Sequence, residues 1–234
     1  METGSVGTSR RTQTYRAVTA LSVSLVLSVI YLLFRNWLMG GWIRLEPGWT
    51  SIGHAWVLHL GAFLILGVVP FLLRARGGFT FREQIRAVWA AYPLWLKVTA
   101  VLLAIGISIG SNTDPCLRSA YPIPDATPWS IVRYLAFMPS YLIYYIAFEY
   151  HYRGFLLPVL RERFGSTPAL LLQSIPPTLL HIGLCPSELM GSFPGQLALG
   201  WIALRGGSYW PAVILHAITG ITLDVTILLS RGVI

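Results

Sequence analysis

The chain has 234 residues, 55% hydrophobic and only 11% charged, with a mean hydropathy of +0.64. A soluble domain keeps about a quarter of its residues charged, so these figures exclude an ordinary soluble fold, and with it disorder, collagen and a disulfide-dense secreted scaffold. The net charge of +8 would suit a nucleic acid only as a clustered basic face on a soluble fold; membrane topology explains it instead, and no nucleic-acid partner is expected.

A spanning helix needs about 20 mostly apolar residues. Runs of that kind predict an all-α integral membrane protein of about seven transmembrane helices (six to eight), with a cytoplasmic tail at 1–16 and a single multi-pass domain at 17–234. The first span, Ala17 to Phe34, carries no charge; it lacks the short apolar region and cleavage site of a signal peptide, so it is expected to remain as an anchor. The second runs from His54 to Leu73. The third, Val98 to Gly110, is short and is extended back past Lys97 towards Trp89, with Pro93 expected to bend it. The fourth lies at Pro139 to Leu160. The fifth, Pro168 to Leu184, contains Pro176 and Pro177 and is expected to bend or break near its middle. The sixth is Leu189 to Leu204, and the seventh, Tyr209 to Leu229, contains His216 and Asp224.

Lys and Arg are enriched at cytoplasmic span ends. With the N-terminus inside, Arg10, Arg11, Arg16, Arg74, Arg76, Arg82, Arg86, Lys97, Arg153, Arg161, Arg163 and Arg205 fall on the inner side. Arg35, Arg44, Arg118, Arg133 and Arg231 are left outside, and the C-terminus is external. Cys116 and Cys185, the two cysteines, fall on the non-cytoplasmic side, where an oxidising compartment permits a disulfide; two unrelated loop thiols fit the sequence equally well.

Ionisable groups at membrane depth are costly and usually face a bundle interior or a water-filled cavity. Glu149, His181, His216 and Asp224 are such groups. At a rise of ~1.5 Å per residue, Glu149 lies about 18 Å, His181 about 20 Å and His216 about 10 Å from the cytoplasmic ends of their helices. A carboxylate and two imidazoles from three helices are thus expected to meet in one pocket. There a carboxylate and an imidazole can hold a water and take its proton, while a second imidazole donates to the oxyanion formed when that water attacks an amide. Arg153, four residues after Glu149, shares its helix face and is within ion-pair reach.

The segment Phe148, Glu149, Tyr150, His151, Tyr152, Arg153, Gly154 resembles the first motif of the CPBP family (CAAX protease and bacteriocin-processing proteins, also called Abi), in its Glu-aromatic-x-aromatic-Arg-Gly form. The stretch around His181 resembles the second motif, and Gly200 through Arg205, Gly206, Gly207, Ser208, Tyr209, Trp210, Pro211 and Ala212 to His216 resembles the third and fourth. The resemblance runs from about residue 130 to 225 and implies an Rce1-like helical bundle there. It also implies a glutamate-dependent intramembrane endopeptidase: Glu149 with His181 activates water, His216 binds the oxyanion, Arg153 and Asp224 support the site, and the substrate is a membrane-tethered protein or peptide. Three positions depart from the pattern. Phe148 stands where the commoner motif has a first Glu, Pro177 where Phe is usual four before the His, and Gly220 where Asn or Asp usually follows the last His.

Competing readings stand beside this one. A catalytically silent relative working as a scaffold, immunity or regulatory protein fits the departures. A small proton-coupled transporter fits Glu149, although the spans show no matching broken halves. One Glu and two His are also ligand types of catalytic zinc sites, so zinc at Glu149, His181 and His216 stays open, although the sequence has no H-E-x-x-H signature and no cofactor is expected. His151 points to another face of its helix, and His54 and His59 read as interfacial or packing residues. Gly106, Ser108 and Gly110 spell G-x-S-x-G inside an apolar helix, where small residues for helix packing explain them better than a nucleophile elbow. The expected setting is a bacterial inner membrane.

Overall fold

A computed structural model describes residues 10–38, 52–74, 92–122 and 129–234. Among these, all regular elements are helices: α1 (Arg10–Leu38), α2 (Ile52–Ala62, continuing through Phe63–Val68 into Val69–Arg74), α3 (Leu94–Ser111), α4 (Pro115–Ala120), α5 (Ile131–Glu149, continuing through Tyr150–Leu156 into Leu157–Phe164), α6 (Ser166–Leu179), α7 (Pro186–Gly206) and α8 (Trp210–Ser230).

Five of these, α1, α2, α3, α5 and α8, are long and apolar enough to cross a membrane, which makes the chain a multi-pass membrane protein. The expected fifth and sixth spans correspond to α6 and α7, which fall short for different reasons. α6 has only 14 residues, because Pro176 and Pro177 lie in its last turn and the chain leaves the helix soon after them. α7 has 21 residues but carries Glu188 and Gln196, side chains that Tyr121 and Arg153 use, and Ser192, which bonds back to its own helix. The third span also differs. Pro93 bends nothing; it stands immediately before α3 in extended conformation, as a residue without an N–H suits a helix start. Trp89 lies outside the described residues.

In α1 a stripe of Ala17, Ala20, Ser24, Leu27, Ser28, Tyr31 and Arg35 is buried, while Val18, Val26, Ile30 and Leu33 are exposed to the lipid side. The small residues in that stripe let α1 approach closely, and Ser28 meets the Tyr152 hydroxyl of α5 at 2.7 Å. α5 is the axis of the bundle. α2 packs on its first half, α1 and α6 on its second, α8 crosses it, and α3 lies against α8. A shared core joins Leu58, Leu66, Phe148, Tyr152, Leu156 and Leu160.

Gly165 at φ +81 turns the chain between α5 and α6, and Gly207 at φ +62 ends α7, conformations that a side chain would strain. At the opposite end of the bundle from the Arg16–Glu162 pair, Cys116 and Cys185 form a disulfide, Cα to Cα 5.8 Å. Asp114 caps α4 through the amide of Cys116, 2.7 Å, and accepts from the Ser187 hydroxyl. The Ser187 hydroxyl and the α4 amides hold the Asp114 carboxyl below the usual carboxylate range. The α4 region and the start of α7 are therefore joined twice.

Candidate functional site

Glu149 ends the regular first part of α5. Beyond it the helix widens: the Leu157 N–H reaches back five residues to Tyr152 O, and the next residue, Pro158, has no N–H to give. α2 repeats the device, with the Val69 N–H on Leu64 O immediately before Pro70. A wider turn spares the preceding carbonyl from the proline ring, and such turns often mark functional segments. In α5 it holds Tyr152 and Arg153.

The Glu149 carboxylate is fully buried. His216 Nδ1 lies 2.7 Å from its Oε1, and Arg153 Nη1 lies 3.1 Å from its Oε2. Arg153 in turn donates to the backbone oxygen of Gln196 at 3.2 Å and to the Gln196 side-chain oxygen. Gln173 Nε2 donates to the same backbone oxygen, 3.2 Å. One ion pair thus ties α5 to α6, α7 and α8. A buried charge persists only when it is paired and hydrogen-bonded; the motif spacing supplies the ion pair, and His216 and Gln196 from other helices supply the hydrogen bonds. Phe148, where the commoner motif has its first Glu, sits in the apolar core and presents its ring edge to His216 at 5.3 Å. The His216 side chain stays 20% exposed.

His181 does not lie within a helix reaching Leu184, as expected. It sits in the tight turn after α6, its amide bonded to Thr178 O at 3.0 Å. Its Nδ1 is 2.9 Å from Pro177 O. A carbonyl only accepts, so Nδ1 carries the proton and Nε2 keeps a lone pair. Nε2 faces Glu188 Oε1 at 4.0 Å, and Tyr121 Oη donates to that same oxygen at 2.7 Å. Among the described residues, no hydrogen bond or ion pair joins Glu149 to His181. The structure brings Glu149, Arg153 and His216 together and sets His181 opposite a different carboxylate.

Arg35, expected at an outer membrane surface, is buried and donates to Leu180 O and, at 2.6 Å, to Ile182 O. It braces the turn that carries His181. Glu188 and Arg35 were missed by sequence reasoning because each stood at a span edge, where charges are ordinary. The signal available was the Pro186-Ser187-Glu188 run, a helix start with an acid in its first turn.

Asp224 is buried two turns beyond His216 on α8 and approaches Tyr134 Oη at 3.5 Å; among the described residues no hydrogen bond or ion pair joins it to Glu149. The departure at Gly220 has a steric cause. A side chain there would run into Tyr141 Oη, 2.8 Å from an added Cβ, and into Tyr145 Oη. The Tyr145 ring lies 4.7 Å from that of His216, so a phenol occupies the space of the usual amide. Gly220→Ala is expected to cost about 1–3 kcal/mol through overpacking, measured as a lower unfolding midpoint in micelles, with Gly220→Ala/Tyr145→Phe recovering part of it.

The remaining sequence candidates find structural roles. His151 Nδ1 meets Leu66 O at 3.2 Å, and His59 Nδ1 meets Ser140 Oγ at 2.9 Å within an aromatic cluster. Ser108 pins α3 to α8 through Thr219 O, 2.8 Å. Gly106 and Gly110 face open space, so only Ser108 of that triplet serves helix packing. A zinc site would need three ligands in one coordination sphere. Among the described residues no group of three His, Cys, Asp or Glu is placed to hold a metal ion.

No curated protein and no solved structure matches the chain. Residues 129–222 match the family model described as type II CAAX prenyl endopeptidase Rce1-like. The match begins just before α5 and takes in Glu149, Arg153, His181, Glu188 and His216, while α1 to α4 and Asp224 lie outside it. Across most of its C-terminal half the chain is thus similar to the Rce1-like type II CAAX prenyl endopeptidase (CPBP) family.

Proposed function

We propose that this protein is an intramembrane endopeptidase that hydrolyses a peptide bond in a membrane-associated protein or peptide, by water attack without a covalent intermediate. The observation that carries this reading is the buried Glu149 joined to both His216 and Arg153 inside a segment similar to a protease family. His181, Glu149 and His216 are the residues assigned to the chemistry, with Arg153 and Asp224 supporting. His181, whose Nε2 lone pair is free of the backbone, accepts a hydrogen bond from the attacking water and holds it in place. His216, doubly protonated in this step and held at Nδ1 by the Glu149 carboxylate, donates from its second nitrogen to the oxyanion, and Glu149 acts through it as a positioning residue. Arg153 neutralises Glu149 where no water reaches. The proposed setting is a bacterial inner membrane with the N-terminus inside; the arginine distribution and a disulfide at the other end of the bundle support that orientation.

The test uses cells lacking the chain, complemented with the wild type or with His181→Ala, whose membrane-protein termini are mapped by mass spectrometry. A set of termini seen with the wild type is expected to disappear in the variant at equal protein level. Identical termini in both would leave the silent scaffold, for which the buried apolar Phe148 speaks.

A further inference from the structure

Glu149 has little freedom to handle water. Both of its oxygens are engaged, by His216 and Arg153, and its side chain has no exposure. The second carboxylate in the domain differs on both counts. Glu188 is 20% exposed beside a His181 side chain that is 15% exposed, and among the described residues its Oε2 has neither a hydrogen bond nor an ion pair.

The gap between Glu188 Oε1 and His181 Nε2 is 4.0 Å, beyond a direct hydrogen bond. Both atoms facing it are acceptors: one is a carboxylate oxygen, the other a nitrogen whose partner Nδ1 holds the proton. Two acceptors are reconciled by a donor with two hydrogens. A water giving one hydrogen to each, over two bonds of about 2.8 Å, spans about 4–4.5 Å. Its oxygen then keeps its lone pairs turned away from both groups, as an attacking nucleophile requires.

We propose that Glu188, together with His181, holds the attacking water and takes its proton, so that the domain's working base comes from α7 while the motif carboxylate Glu149 only positions His216. This deepens the peptidase reading above and rests on it. In the step, the water oxygen bonds to the amide carbon as one water proton passes to Glu188, and the carbonyl pair moves onto the oxygen held by His216. The C–N bond then breaks, the proton passes from Glu188 to the leaving amine, directly or through His181, and the other water proton ends on the new carboxyl group. Three links keep Glu188 in place: Tyr121 on its carboxylate, the Ser187–Asp114 bond and the disulfide at Cys185. All three draw on residues before the matched domain, a physical reason for the family core to keep those segments attached.

The experiment compares full-length wild type with His181→Ala, Glu188→Gln and Glu188→Asp in the termini-mapping assay, and measures the unfolding midpoint of each purified protein in micelles. The expected result is a fall of about 100-fold or more in product termini for Glu188→Gln, the usual scale for losing a general base, at an unchanged midpoint. Glu188→Asp, which keeps a carboxylate, is expected to recover to within about tenfold of the wild type. If Glu188→Gln cleaves as well as the wild type while His181→Ala does not, this assignment is overturned and the peptidase stands. A lowered midpoint in Glu188→Gln with no recovery in Glu188→Asp overturns it as well, since a merely structural role predicts that pair. Unchanged termini in His181→Ala remove the peptidase reading, and this one with it.

Discussion

Arg153→Ala is expected to destabilise the protein by about 3–5 kcal/mol, the loss typical of breaking a buried pair by removing one partner. At about 2–4 °C per kcal/mol for a chain of this size, the unfolding midpoint in micelles falls by about 10 °C. The cause is the state left behind. Glu149 has no exposure, so without the guanidinium it keeps only His216, and Gln196 loses the donor that joins α7 to α5. Neutralising the stranded acid should restore stability: Arg153→Met combined with Glu149→Gln is expected to regain most of the loss, because no unpaired charge remains buried. A double variant less stable than Arg153→Ala would mean that the network, rather than the charge, carries the effect.

His216→Ala is expected to show the converse pattern. Product termini fall by about 10²–10³, the usual consequence of removing one oxyanion donor, whereas the midpoint moves by much less than in Arg153→Ala. Two features of the site separate the effects. His216 is partly exposed, so its removal leaves no sealed void, and Glu149 keeps its partner Arg153 at 3.1 Å. Termini yields and midpoints measured on the same preparations distinguish the two residues. Equal destabilisation by both variants would make His216 a structural member of the ion pair.

Much of this protein was legible from its residues in order. Long apolar runs in α1, α2, α3, α5 and α8 must become helices, because a backbone in lipid has no other donors or acceptors. Glu149 and Arg153 lie four apart and share a helix face, so their pairing follows from spacing alone. His216 reaches Glu149 from α8, as the rarity of ionisable groups in apolar segments suggested. The segment that resembled a protease family coincides with the matched residues 129–222.

What the sequence could not state is which acid meets which imidazole. Seven spans were expected because hydrophobicity was averaged over windows, yet α6 stops early at its prolines and α7 turns its polar side chains inward. The early end of α6 places His181 in a turn, and the turn aims it at Glu188. Arg35, Tyr121 and Cys116 come to that place from far earlier in the chain, and nothing local records their arrival. Helix formation and side-by-side pairing within a helix are set by neighbours a few residues away, so order and spacing reveal them. The convergence of Glu188, Tyr121, Arg35 and His181 depends on how separate helices pack, and only the folded bundle decides it.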